Sequence, residues 1–272
     1  MKIQIPPQIR LLGEAFGRSG LPLYMVGGAV RNALLGYPPN DYDLCGPATP
    51  EQVIKGFQNS SVQVVPIAPA FGTVLLYLPK GEDKAQRAVE YTTFRRDTYG
   101  PGGGHRPDGV LFSEKLEEDA FRRDFTVNAL YADAMTGELI DPTRGLEDME
   151  KRLIRTSSPD PDLILRDDGL RTLRLVRFAA ELGFEVDPAS ADSARRHASL
   201  LADIPVERIW KELQRMLMAD QRYGVEQPGG VPGQQRALAM LVGPDLLAPV
   251  FPELADGAGF GQRPASPASA CR

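Results

Sequence analysis

The stretch Val26-Gly27-Gly28-Ala29-Val30-Arg31, followed after a turn by Asp41-Tyr42-Asp43, decides how this chain is read. Tyr24, Met25 and Val26 are a short apolar run that suits a buried strand. Gly27-Gly28 is a turn without Cβ atoms, and Ala29 to Leu35 reads as a helix that stops at Gly36. A glycine pair between strand and helix lets backbone N–H groups approach a polyanion at the positive end of the helix dipole. Arg31 falls in the first turn, within reach of a phosphate held there. Past Tyr37-Pro38-Pro39-Asn40, Asp41 and Asp43 stand two apart in what reads as a second strand, so both carboxylates face one way. Adjacent carboxylates repel, and a divalent cation such as Mg2+ is the usual means of keeping both ionised. A lone glycine pair is usually only a turn, and a lone Asp-x-Asp only a solvated edge. In strand–turn–helix–turn–strand order, they imply a phosphate cradle, a basic residue and a metal pair. That set suits nucleotidyl transfer.

Composition narrows the classes. The 272 residues can bury a good core as one large domain or two small ones. With 42% hydrophobic and 25% charged residues, the balance is that of a soluble globular protein. A net charge of −5 excludes a surface that is basic all over, so a nucleic-acid partner would be met by local arginine clusters. The two cysteines, Cys45 and Cys271, form no disulfide framework and suit a reducing compartment. No apolar run resembles a signal peptide or spans a bilayer, so the expectation is a cytoplasmic protein away from membranes. With only His105 and His197, hard-cation carboxylate chemistry is favoured over a histidine site.

In chain order, residues 8 to 18 read as an amphipathic helix. Thr49-Pro50-Glu51-Gln52 is a capped helix start, with a helix running to about Phe57. Val62 to Ile67, Thr73 to Leu78 and Arg87 to Arg95 read as strands. Glu90, on the last of these, is a candidate third carboxylate for two-metal transfer, though a polar residue on an exposed strand face reads equally well. Residues 97 to 109, rich in Gly, Pro and charge, read as a flexible loop. Arg122-Arg123-Asp124 reads as the start of an apolar helical run that carries Asn128 one turn along. Arg166-Asp167-Asp168-Gly169-Leu170-Arg171 reads as opening a helix that ends at Gly183, with Leu170, Leu173, Val176 and Ala180 as its apolar stripe. Asp168 and Arg171, three apart, are neighbours on one face. Pro205 to Ala219 reads as an amphipathic helix with Ile209, Leu213, Met216 and Leu217 inside, and Gln227 to Gln234 as a linker. Arg236 to Leu254 reads as one or two short helices, and the chain after Asp256 as a disordered tail.

Gly27-Gly28-Ala-Val-Arg31-Asn-Ala-Leu-Leu-Gly36…Asp41-Tyr-Asp43 closely resembles the first motif of class II tRNA nucleotidyltransferases, the CCA-adding enzymes, which bacterial poly(A) polymerases share. The family usually has Asp where this chain has Asn32. Glu90 to Arg95 with Arg106-Pro107-Asp108 resembles the family's flexible-loop region. Arg122-Arg123-Asp124 resembles its Arg-Arg-Asp motif, which by resemblance contacts ribose and triphosphate. Ile140-Asp141 through Leu153-Ile-Arg155 resembles its hinge motif. Asp167-Asp168-x-x-Arg171 resembles its Glu-Asp-x-x-Arg motif, with Asp167 in place of Glu. That motif is understood to read the base. A carboxylate accepts and a guanidinium donates, so the pair matches the amino donor and ring-nitrogen acceptor of cytosine or adenine rather than guanine or uracil. The resemblance covers roughly residues 20 to 255.

The resemblance implies an α+β fold: a polymerase-β-type nucleotidyltransferase head with a mixed sheet over 1–150, then an all-helical neck over 151–222. A short helical body remnant would follow over 223–256, then a tail over 257–272. It implies template-independent addition of C and A nucleotides from CTP and ATP to the 3′ end of tRNA. Asp41 and Asp43 would hold Mg2+, with Glu90 as a possible third ligand. Gly27, Gly28 and Arg31 would hold the triphosphate, and Arg122, Arg123, Asp124 and Asn128 the sugar and phosphates. Asp167, Asp168 and Arg171 would face the base. A poly(A) polymerase, a CC- or A-adding specialist, and an inactive RNA-binding remnant are the alternatives.

Overall fold

Helix α1 (Pro7–Arg18) lays Ile9, Leu12 and Phe16 against a sheet and leaves its polar residues to solvent. The computed structural model describes residues 1–39, 41–78, 88–100, 107–243 and 246–251. The first part continues as β1 (Tyr24–Val26), α2 (Gly28–Leu35), β2 (Asp43–Gly46), α3 (Pro50–Phe57), β3 (Gln63–Ala68), β4 (Thr73–Tyr77) and β5 (Ala88–Thr93). It then runs through β6 (Arg95–Thr98), β7 (Gly109–Phe112), α4 (Leu116–Phe121), β8 (Tyr131–Asp133) and β9 (Leu139–Ile140). Seven of these strands make one sheet in the order β3-β4-β5-β2-β1-β8-β9, mixed because β2 and β5 are parallel while the other described neighbours are antiparallel. Strand alternation sends Met25, Leu44 and Tyr91 to one buried face, and Val26, Cys45 and Phe94 to the other.

Helix α3 begins with a complete capping box. Thr49 accepts from the Gln52 N–H, and the Gln52 side chain accepts from the Thr49 N–H. Strands β6 and β7 pair as a separate antiparallel ribbon, so part of the expected loop is ordered; Arg106 and His105 of that stretch lie outside the described residues.

The second part runs α5 (Gly145–Glu150), β10 (Leu153–Ile154), α6 (Pro161–Asp167), α7 (Leu170–Leu182), β11 (Glu185–Val186), α8 (Pro188–Arg196), α9 (Val206–Leu217), α10 (Ala219–Tyr223) and α11 (Gly233–Val242). It is helical apart from the parallel pair β10–β11. Helix α7 is its axis. Leu170, Leu173, Val176 and Ala180 pack with Ile209 and Leu241, while Leu175, Phe178, Ala179 and Leu182 pack with Phe125 and Val127. The second set welds the helices to the sheet region, and truncating Phe178 to Ala would cost about 3–5 kcal/mol. Leu217, expected inside, is instead exposed at the end of α9, because Ile209 and Met216 define the face that packs. Gln227, expected in a linker, is buried and donates to the Ala180 carbonyl at 2.7 Å. The expected tail over 257–272, with Cys271, lies outside the described residues. No helix among the described residues is long and apolar enough to cross a membrane.

Candidate active site

Gly27 joins β1 to α2 at φ 75° and ψ −134°, in the positive-φ region that side chains with a Cβ resist. The first N–H groups of α2 have no intrahelical acceptor, and Gly27 and Gly28 at that helix start line a cavity of about 460 Å³. That size falls within the range of small-molecule sites, about 300–1,000 Å³. Gly27, Gly28, Arg31, Asp41, Asp43, Arg122, Arg123, Asp124, Asn128, Asp168 and Arg171 all line it. Glu90 and Asp167 do not.

The acid pair is arranged differently from the expectation. Strand β2 begins at Asp43, and Asp41 precedes it in the connecting turn, so strand alternation does not align the two. Both nonetheless line the cavity, and the charge of Asp41 acts on Asp43. Asp43 pairs with Val26 on one side and with Glu90 on the other. Burial, then the charge of Asp41, pushes the Asp43 carboxyl up to about 6; Arg123 opposes this and Glu90 adds to it. Glu90 is itself raised, by burial first and with Asp41 contributing, so its field reaches the pair although its side chain lies outside the cavity. The donor set fits a hard divalent cation: two carboxylates on one cavity, one of them raised by burial and by its acidic neighbour, a cost that a bound cation would relieve. Among the described residues no three acidic, histidine or cysteine groups gather closely enough to hold a metal. Water and substrate phosphates would complete the shell, as they usually do for Mg2+.

Arg122-Arg123-Asp124 sits at the end of a helix, not at the start of one. Helix α4 stops at Phe121, Thr126 to Asn128 make a single 3-10 turn, and β8 follows. Phe125, Val127, Ala129 and Leu130 are buried on every side, so the run carries no helical stripe. Both arginines are anchored by Asp119, a fully buried residue that sequence reasoning missed. Its Oδ1 accepts from Arg122 Nε at 2.9 Å, and its Oδ2 from Arg123 Nη2 at 2.7 Å and the Tyr131 hydroxyl at 2.8 Å. Burial alone would raise its pKa, but Arg123 and Arg122 outweigh that and hold it at about 2. The detectable signal was spacing, since Asp119 lies three and four residues before the two arginines. Asp124 is likewise brought to about 2: burial opposes this, and Arg174 and Asn128 prevail. Arg174 Nε donates to Asp124 Oδ2 at 3.0 Å, and Asn128 Nδ2 to Asp124 Oδ1 at 3.1 Å.

The Asp-Asp-x-x-Arg stretch straddles a junction instead of opening one helix. Asp160 caps α6, which ends at Asp167; Asp168 is extended at φ −146°, and α7 starts at Leu170. Asp168 Oδ1 accepts from the Leu170 N–H at 3.1 Å, which leaves Oδ2 for a ligand. Arg171 Nη1 and Nη2 donate to the carbonyls of Ile164 and Arg122, each at 2.9 Å. Two of its five donors fix the guanidinium and three remain. Asp167 is half-buried and raised by burial, which Arg171 opposes.

The cavity is more basic than the motifs foretold. Arg174, Arg177, Arg208, Arg215 and Arg222 also line it. Arg171, Arg174 and Arg177 recur every three residues on α7, and Arg208, Arg215 and Arg222 every seven along α9 and α10, a periodicity visible in the sequence. Glu212 and Glu181 pair with Arg177 beneath this wall.

Comparison with known proteins agrees with the geometry. Residues 23–155 match the poly A polymerase head domain, and residues 183–225 match a probable RNA and SrmB-binding site of polymerase A. A CCA-adding enzyme of Geobacillus thermodenitrificans is 40% identical over 215 residues, 78% of this chain and 50% of that protein. The crystal structure of the Bacillus stearothermophilus CCA-adding enzyme in complex with CTP is 36% identical with a TM-score of 0.70, covering 88% of this chain and 53% of that one. A tRNA nucleotidyltransferase complexed with a primer tRNA and an incoming ATP analogue is 26% identical with a TM-score of 0.67, covering 88% and 62%. The chain belongs to the family of CCA-adding tRNA nucleotidyltransferases and bacterial poly(A) polymerases. It spans about half the length of the curated relatives it matches. The CCA-adding family generally uses a divalent metal.

Proposed function

We propose that the chain transfers CMP and AMP from CTP and ATP to the 3′ end of a tRNA. One observation carries this reading: the acid pair Asp41 and Asp43 and the acid–arginine pair Asp168 and Arg171 line one cavity, so a single nucleotide can touch both. Asp41 and Asp43 would hold Mg2+, and in two-metal transfer one cation would lower the pKa of the attacking 3′ hydroxyl while the other would neutralise the departing pyrophosphate. The N–H groups at the start of α2 and the Arg31 guanidinium bind the triphosphate, Arg122 and Arg123 add planar donors to phosphate oxygens, and ionised Asp124 with Asn128 accepts from the ribose. Asp168 Oδ2 and the free Arg171 donors read the base edge and choose C and A over G and U without a template. Residues 1–150 act as the catalytic head, 151–222 as the neck and 223–256 as a short body, and the reaction takes place in the cytoplasm.

The test is to incubate the protein with tRNA lacking its last three nucleotides, supply each nucleotide singly and in pairs, and sequence the products. Extension by C with CTP alone, and completion with CTP plus ATP, is the expected result. A-tailing that ignores CTP would mark a poly(A) polymerase. No pyrophosphate release with any nucleotide would overturn the reading.

A further inference from the structure

Arg31 is a buried cation, the residue 3% exposed, yet no carboxylate lies within ion-pair distance of it among the described residues. Neutral groups surround it instead. Asn32 Oδ1 accepts from its Nε at 3.2 Å and its Nη2 at 2.9 Å, Asn128 Oδ1 accepts from Nη1, and the Tyr223 hydroxyl accepts from Nη2 at 3.3 Å. The Phe178 ring lies 5.1 Å away. Tyr223 in turn donates to Asn32 Oδ1 at 3.2 Å, and its ring packs against Tyr37 with centroids 4.7 Å apart. The carboxylates whose fields reach Arg31, Glu181 and Asp124, are committed to Arg177 and Arg215 and to Arg174. Asn32 Oδ1 takes three donors, its Nδ2 donates to the Pro38 carbonyl at 3.5 Å, and it does not line the cavity that Arg31 lines. It has no group to spare for metal or phosphate.

We propose that Asn32 and Tyr223 are positioning residues that hold Arg31 as an uncompensated cation, whose counter-charge comes from the terminal phosphates of the nucleoside triphosphate. A buried charge with only neutral partners is costly, and a ligand dianion relieves that cost. An acid at position 32 would place a carboxylate where Oδ1 now sits and satisfy Arg31 internally. The amide therefore sets how strongly the cradle demands a polyphosphate. Tyr223 ties that demand to the end of α10, which must be docked on α2 for its hydroxyl to reach both side chains.

This inference rests on the nucleotide-binding reading, so its test compares two ligands. CTP and CMP binding are measured calorimetrically, with Mg2+ present, for the wild type, Asn32→Asp and Tyr223→Phe, alongside melting temperatures. Asn32→Asp is expected to weaken CTP about fivefold or more while changing CMP less than about twofold, and Tyr223→Phe to narrow the CTP-to-CMP ratio about threefold. A ratio unchanged in both variants, or the two ligands weakening in parallel, overturns the proposal. A wild type that binds neither ligand overturns the nucleotide reading itself, and is read before any variant.

Discussion

Two pairs of aspartates show how one residue type takes opposite roles a few ångströms of environment apart. Asp119 and Asp124 are buried and surrounded by guanidinium groups, and both are held near pKa 2. Asp41 and Asp43 open onto the same cavity without a dedicated cation, and Asp43 is pushed up to about 6. The first pair is complete within the protein and fixes the shape of the site. The second is left incomplete, and an incomplete pair of acids facing phosphate-binding groups is a place for a cation to arrive with its substrate.

The largest effect should come from the completed pair. Asp119→Ala leaves two arginines and the Tyr131 hydroxyl without their buried acceptor, and should cost about 3–5 kcal/mol of stability in denaturant unfolding. A loss no greater than that of a surface substitution would show that Asp119 does not organise the motif.

Asp43→Asn should instead abolish turnover while leaving CTP binding largely intact. Its stability effect has a definite sign. A carboxyl whose folded pKa is raised takes up protons on folding, so wild-type stability from this group is greatest below about pH 4. It is lost as pH rises through about 6. In metal-free buffer the variant should therefore melt a little higher than wild type at pH 8 and equally near pH 4, and Mg2+ should stabilise only the wild type. A variant less stable at pH 8 would reverse the assignment of Asp43 as an incomplete acid.

The smallest effect belongs to a pair in neither class. Glu147 and Lys151 pair one helical turn apart on the exposed face of α5, and Lys151→Gln should leave melting and turnover unchanged within error. A measurable loss would mean that the surface of this hinge segment takes part in the reaction.

Much of the site was legible because its backbone demands are local. Gly27 with its positive φ, the left-handed Gly36, and Thr49 with Gln52 each announce a structure within four residues. Four motifs in order also carried the resemblance. What escaped depended on burial or on partners distant in sequence. Phe125 to Leu130 is apolar throughout because it is packed between sheet and helices, and without a polar face its period cannot be read. The break at Asp168 follows from Asp160 starting a helix earlier, at Pro161, which consumed the residues expected to open the next one. Arg174 declares itself only when Asp124, fifty residues earlier, is seen beside it, whereas Asp119 left its spacing before Arg122 and Arg123 as a signal.

The most direct test of two clusters serving one nucleotide is single-turnover transfer of CMP and UMP to a tRNA lacking its 3′ end, with wild type and Arg171→Ala. The account predicts a strong preference for CTP in the wild type. In the variant that preference should collapse while UMP transfer does not slow, because UTP still lies over Asp41 and Asp43. If CMP and UMP transfer instead fall together and the preference survives, Arg171 does not read the base that Asp41 and Asp43 process.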